Sequence, residues 1–394
     1  MKRTLAFIML LGATLPLWST SVVENPTSTG GTTPSISQLM ETATSIDHVG
    51  GYAEGFSAYR SGDLVIVQVN APWQNASPED RFVYLLYPRN QVRPHFTGVD
   101  AVIAVPAERV ITMSTTFLPH LEALGVLNAL VAVDSLAWAY SPLVRERGAS
   151  GDITEVGSGP AVDIERVLAL EPDFVMVNSY GGEWDAQPIL EAAGVPTVVL
   201  GDWVESNPLG RAEWLLFTAL LFGDLDEAVE RLRTIEERYL ELKEIAAGAS
   251  ERPTVLVNAP YQGTWSVPGG KSYAATFVAD AAGDYFWADD DSTGSLFLDM
   301  ESVYALAGSA DIWINPGTWS SLAQGEAEDA RFATFAAFGL GHVYNNNRRL
   351  SPAGGNDYHE SGALNPDLVL ADLVTIFHPD LMPNHRMYYY RRLP

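Results

Sequence analysis

Three hydroxyl side chains in a row, Ser114, Thr115 and Thr116, follow the apolar run Val110-Ile-Thr-Met113 and lead into a helical pattern. Hydroxyls at such a strand-to-helix turn place donors and acceptors beside the free N–H groups of a helix start. Aromatic and hydroxyl residues recur just after other apolar runs: Tyr180, Trp203, Trp265, and Thr318 with Trp319, while Tyr273 opens a later helical segment. The set is poor in charge. Its chemistry is stacking and hydrogen bonding to a bulky ligand rather than acid–base or nucleophilic catalysis. The most polar stretch, Gly354 to Gly362, adds Asn356, Asp357, Tyr358 and His359 on a loop that glycines make bendable at both ends.

Motifs of catalysis and of tight cofactor binding are missing. There is no G-x-S-x-G elbow, and His359-Glu360 lacks the second histidine of H-E-x-x-H. Gly269-Gly-Lys-Ser272 ends like a phosphate loop, but Trp265 stands where its first glycine belongs. Asp289-Asp-Asp291 reads as a solvated acidic turn. The seven histidines are scattered, and only His120 and His359 fall near the candidate loops, too few for a directly bound transition metal. No metal or cofactor of the protein's own is expected.

The elements that must position these residues alternate. Strands are predicted at Val110–Met113, Val131–Asp134, Phe174–Asn178, Val198–Leu200, Thr254–Asn258, Ile312–Asn315 and His342–Asn345. Between them lie helices, among them Asp163–Leu170, Pro188–Ala193, Ser272–Ala282, Asp299–Ala307, Arg331–Phe338 and Pro366–Phe377. Buried apolar strands alternating with helices indicate an α/β fold with parallel sheets covered on both faces, and ligands of such sheets bind beyond the strands' carboxyl ends. One segment is longer than the rest. In Asp224–Ala247, Leu225, Ala228, Leu232, Ile235, Tyr239, Leu242 and Ala246 recur every three or four residues, one face of a helix. Asp224 with Glu227 reads as its cap, Glu227–Arg231 as an exposed ion pair and Gly248 as its stop.

The segments flanking that helix echo each other. Val162-Asp-Ile-Glu-Arg-Val-Leu-Ala-Leu170 followed by Asp173-Phe-Val-Met-Val-Asn178 parallels Leu298-Asp-Met-Glu-Ser-Val-Tyr-Ala-Leu306 followed by Asp311-Ile-Trp-Ile-Asn315. Matched units on either side of one long helix imply a duplicated lobe with a site between the copies.

Bulk composition narrows the function. The 394 residues exceed one typical core. A net charge of −26 excludes a phosphate-binding, nucleic-acid role. The only lysines are Lys2, Lys243 and Lys271, and there is no cysteine, hence no disulfide, thiolate metal site or lipidated cysteine. Residues 1–21 read as a secretory signal and 22–35 as a flexible leader. A β-rich extension is predicted over 36–103, an N-terminal α/β lobe over 104–223, the linking helix over 224–248 and a C-terminal α/β lobe over 249–394. The mature protein is expected to be exported, soluble and periplasmic, and to work as a monomer.

From Arg109 to Pro379 the chain resembles the substrate-binding proteins of ABC importers for iron complexes and vitamin B12. The resemblance rests on Arg109-Val-Ile-Thr-Met-Ser-Thr-Thr116, on Ile164-Glu-Arg-Val-Leu-Ala-Leu-Glu-Pro-Asp-Phe-Val175, on Gly194-Val-Pro196, on the long helix and on the C-terminal echo. Tyr344-Asn-Asn-Asn347, Pro352-Ala-Gly-Gly-Asn-Asp357 and Leu364-Asn-Pro-Asp-Leu-Val369 resemble a subgroup associated with iron-complex uptake. It implies two Rossmann-like lobes joined by a single long backbone helix, with limited hinge motion. It also implies docking of one acidic residue per lobe, here Glu165 and Glu301, onto an ABC permease pair. The implied cargo is a small-molecule metal chelate carrying iron, with cobalt in cobalamin, or haem, as alternatives. Arg145, Arg147 and Arg331 are the candidate arginines for an acidic siderophore. From other classes, a secreted metal-dependent enzyme on a two-lobed frame would have to draw on Asp357, His359 and Glu360, and a structural or signalling surface protein also stays open.

Overall fold

Leu225–Ala247 forms the single long helix that its spacing predicts, 23 residues and about 35 Å in length. A computed structural model describes residues 33–394; the expected signal segment and nearly all of the leader lie outside the described residues. Along this helix the buried face changes partners. Ala228 joins the core of the N-terminal lobe, while Ile235, Tyr239, Leu242 and Ala246 join that of the C-terminal lobe, and Leu232 packs against both. The apolar stripe therefore ties two cores with one rigid element. Its details differ from the expected ones. Asp224 occupies the N-cap without a side-chain hydrogen bond, and Gly248 ends the helix in a right-handed conformation. The exposed ion pairs are formed by Arg233 with Glu230 and Glu237 rather than by Glu227 and Arg231.

A second crossing helix, Pro208–Phe222, precedes it. Asn207 caps it and Pro208 sits at its first turn. It is buried on every side, so its sequence is apolar without a helical period, which is why periodicity does not reveal it.

The N-terminal sheet runs β1 (Thr44–Ser45), β2 (Phe56–Ser61), β3 (Leu64–Val69), β4 (Phe82–Pro88) and β5 (Ala101–Val105) in that order, antiparallel except for β4 with β5. One face is continuous with the core of the adjoining lobe, where Phe56 lies 4.8 Å from the Trp214 ring. The other is covered by the short helix Ile36–Met40, whose cap, Ser35, falls within the expected leader. The loop before β2 is clamped from the crossing helix. The buried Glu213 carboxylate accepts the amides of Gly51, Tyr52 and Ala53 at 3.0, 2.6 and 2.9 Å, and Glu205 accepts that of Gly55 at 2.9 Å. Buried charge is tolerated here because its acceptor capacity is filled.

The first lobe contains β6 (Val110–Thr112), β7 (Leu130–Val133), β8 (Thr154–Glu155), β9 (Phe174–Val177) and β10 (Thr197–Val199), all parallel, in the order β10-β9-β6-β7-β8. The second contains β11 (Thr254–Val257), β12 (Pro260–Tyr261), β13 (Thr264–Pro268), β14 (Asp284–Tyr285), β15 (Ser295–Leu298), β16 (Ile312–Ile314), β17 (Val343–Asn345) and β18 (Arg391–Arg392). Here β14-β11-β16-β17-β18 form a sheet that is parallel but for β18, and β12, β13 and β15 an antiparallel ribbon. Taken from one edge, β10-β9-β6-β7 corresponds to β17-β16-β11-β14. The echoed helix–strand units thus occupy equivalent places, with Asp163 and Asp299 each capping its helix.

The helix expected over Arg331–Phe338 divides into a 3-10 turn, Ala330–Thr334, and a short helix, Ala336–Gly339. Phe335 between them is extended, with its ring buried against Trp265 and Trp313.

Candidate functional site

The carboxyl ends of five strands, three from one lobe and two from the other, open onto one cleft of about 720 Å³. Met113, Ser114 and Thr115 follow β6. Asp134 and Trp138 follow β7, and Asn178 and Tyr180 follow β9. From the second lobe come Gly317 and Thr318 after β16, Asn346, Asn347 and Leu350 after β17, and Gly354, Asn356 and His359 from the polar loop. Parallel strands deliver this convergence, since all their carboxyl ends share one edge.

Each loop is held by hydrogen bonds of its own. Ser114 caps the turn Thr115–Phe117, accepting the Thr116 amide at 3.3 Å. The Asp185 carboxylate accepts the amides of Tyr180 and Gly181 at 2.8 and 2.9 Å and the Ser179 hydroxyl at 2.6 Å, which fixes the loop carrying Tyr180. Asn345 and Asn347 donate to the Trp319 carbonyl at 2.8 and 2.9 Å, holding the Thr318 loop. The polar loop leans on the opposite lobe. A Cβ at Gly355 would lie 2.4 Å from the Trp138 carbonyl, so only glycine allows this approach. Glu360 accepts the Tyr140 and Ser141 amides at 2.6 and 2.8 Å across the interlobe boundary, at the start of helix Pro142–Ser150. Burial pushes the Glu360 carboxyl up to about 7.

The wall chemistry is amide, hydroxyl and aromatic. Trp138 and Tyr180 are 65% and 60% exposed at the mouth, and the Tyr180 ring sits 5.2 Å from that of Trp203. Burial raises the Asp134 carboxyl above its ordinary range, and burial with nearby Arg211 lowers His359, which keeps its imidazole neutral near pH 7. The buried side-chain oxygen of Asn178 has no hydrogen-bond partner. Among the described residues no cluster of three or more metal-ligating side chains occurs.

Of the residues singled out from sequence, Ser114, Thr115, Tyr180, Thr318, Asn356 and His359 meet in this cleft. The others do not line it. Trp265 and Trp319 are fully buried in the second lobe's core. The Trp265 indole N–H donates to the Val257 carbonyl and that of Trp319 to Glu328; such large rings are worth more in the core than at a rim. Thr116 turns its hydroxyl to Ser114, 2.9 Å away. Trp203 and Tyr273 line a separate crevice of about 270 Å³ with Gln74, and Arg211 stacks 4.9 Å over the Tyr273 ring. Asp357 is buried against Arg349, and Tyr358 packs among Tyr389 and Tyr390. His359 faces the cleft, while Asp357 and Glu360 line a different crevice, one paired with Arg349 and the other holding two amides, so the three form no acid–base constellation. Of the candidate arginines, Arg145 and Arg147 donate to backbone carbonyls, while Arg331 pairs with Glu301 and Asp329. His120 packs in its helix against Thr218, 2.9 Å away.

Sequence reasoning passed over Asp134, Asn178, Asn346 and Asn347 as site residues, although the first two end strands it had placed and the other two come just after one. Trp138, well beyond its strand in a loop, carried no such signal.

Glu165 and Glu301 are exposed in the first turns of the echoed helices. The far end of the first helix is bonded to Arg109 at the start of β6, through the Leu170 carbonyl, so its beginning points to the cleft edge. Two sheets in duplicate order, one linking helix and a cleft at their carboxyl edges are the frame of a two-lobed binding protein. Residues 110–344 match the family described as periplasmic binding protein. The chain belongs to that family. An uncharacterized lipoprotein of Methanocaldococcus jannaschii is 27% identical over 301 residues, 73% of this chain and 69% of its own length. A second from the same organism is 26% identical over 99% of both. An ABC transporter substrate-binding protein from Listeria monocytogenes has the same fold, with a TM-score of 0.53 at 18% identity over 69% of this chain and 99% of its own. So does a periplasmic heme-binding protein from Pseudomonas aeruginosa, with a TM-score of 0.51 at 21% identity, covering 69% and 93%. An ABC-type Fe3+-hydroxamate transport protein from Saccharomonospora viridis gives 0.52 at 18% identity, covering 70% and 94%. No helix among the described residues of this periplasmic binding protein is long and apolar enough to cross a membrane.

Proposed function

We propose that this protein is the exported receptor of an ABC importer, capturing a chelated iron complex of the ferric-siderophore type in its interlobe cleft. The observation that carries the reading is the cleft itself. Its volume of about 720 Å³ suits a bulky small molecule, and its walls supply amides and hydroxyls below exposed Trp138 and Tyr180. Stacking at the mouth and hydrogen bonds at the floor hold such a ligand without a covalent step. The related fold of an Fe3+-hydroxamate transport protein is consistent with this cargo. The protein works as a monomer. Glu165 and Glu301 dock one lobe each onto the paired permease subunits, and docking Glu301 requires it to exchange Arg331 for a permease cation.

Tryptophan fluorescence during titration with ferric siderophores, haem and cobalamin tests the reading. Saturable quenching by a ferric siderophore, weakened in Trp138→Phe, is expected. Saturation by haem or cobalamin alone would replace the cargo, and silence toward all three would overturn the receptor assignment. Alanine at both Glu165 and Glu301 is expected to abolish uptake while ligand affinity stays within twofold of wild type, on the order of experimental scatter.

A further inference from the structure

The charge of the cleft narrows its cargo. Among the described residues that line it there is no lysine or arginine, and the one carboxylate is Asp134. His359 faces the cleft but stays uncharged. Three arginines behind the wall are already committed. Arg211 pairs with Asp202 at 3.4 Å, Arg349 pairs with Asp357, and Arg391 donates to the Asn347 side-chain oxygen at 2.8 Å. In the sheet order β9-β6-β7, Asn178 and Asp134 flank the Ser114–Thr115 turn on its two sides. Asp134 offers acceptors to a ligand that brings N–H donors.

Resting on the receptor reading above, we infer that the cleft selects a neutral or cationic chelate bearing N–H groups, and rejects polyanionic complexes. A ferric tris-hydroxamate with a pendant ammonium fits this chemistry. A ferric tris-catecholate, with three negative charges, has no counter-cation here and must enter against both Asp134 and a chain of net charge −26. Asp134 is the specificity-determining residue, pairing with the ligand's donors.

Three probes isolate charge: a linear ferric tris-hydroxamate with a free terminal ammonium, the same complex N-acetylated, and a ferric tris-catecholate. Calorimetric titration at low ionic strength is expected to show the ammonium form binding on the order of tenfold more tightly than the acetylated one. The tris-catecholate is expected to bind at least on the order of a hundredfold more weakly. Asp134→Asn should erase the difference between the first two. Thr318→Lys, a change at an exposed position, should add affinity for the tris-catecholate and serves as the control if Asp134→Asn does not fold. Tightest binding by the tris-catecholate to the wild type overturns the charge inference and leaves the chelate receptor standing. An unchanged ammonium-to-acetyl ratio in folded Asp134→Asn overturns the role of Asp134. Failure of all three complexes to bind overturns the ferric-siderophore cargo and this inference with it, and the haem and cobalamin titrations then decide the receptor reading.

Discussion

Glu360 makes the contact between the lobes measurable by titration. Its carboxylate sits on the C-terminal lobe, accepts two amides of the N-terminal lobe, and is pushed by burial from 4.5 to about 7. In the unfolded chain the same group titrates near 4.5. Between these values the folded protein keeps a proton that the unfolded chain has released, so stability must fall as pH rises through the window. At about 1.36 kcal/mol per pH unit, the loss accumulates to roughly 3 kcal/mol by pH 8. His120 works in the opposite sense. Burial lowers it from 6.5 to about 3, so the unfolded chain binds the extra proton and stability rises with pH up to 6.5. The raw profile mixes the two, and the difference between wild type and Glu360→Gln separates them. Urea unfolding at pH 5, 6, 7 and 8 is expected to find the variant close to wild type at pH 5 and roughly 2–3 kcal/mol more stable at pH 8. Parallel profiles across that range would refute the burial argument for this carboxylate.

Other substitutions probe the division between wall and core. Trp138→Ala and Tyr180→Ala remove exposed rings, so each should weaken ligand binding by about 1 kcal/mol while shifting the melting temperature little; a large thermal loss would place them in the core. Trp265→Ala should do the reverse, costing about 3–5 kcal/mol of stability by equilibrium unfolding with affinity unchanged in the folded fraction. Glu213→Ala leaves the amides around Gly51–Ala53 without their acceptor. Hydrogen exchange at those amides should rise by orders of magnitude, and unchanged protection would show that the clamp does not hold the loop.

Local patterns in the sequence were sufficient for much of the frame. The stripe from Leu225 to Ala246 needs only the helical period, and the helix Pro366–Phe377 needs only its proline start and apolar run. The paired segments ending at Asn178 and Asn315 state the duplication outright, because two copies of one unit carry the same caps and the same buried strands. Residues immediately after a strand, such as Ser114 and Thr318, inherit their place from it. Tertiary structure decided the rest. Whether an aromatic after a strand faces the ligand or the core depends on packing from elements far away in the chain. Phe332 and Phe335 draw Trp265 inward, and nothing covers Trp138. Asp357 and His359, two residues apart on one short helix, point to different neighbours because Arg349 claims one and the cleft receives the other. The sign of the cleft is likewise a property of the assembled lobes: Arg211 and Arg391 direct their charge to partners that only folding brings near.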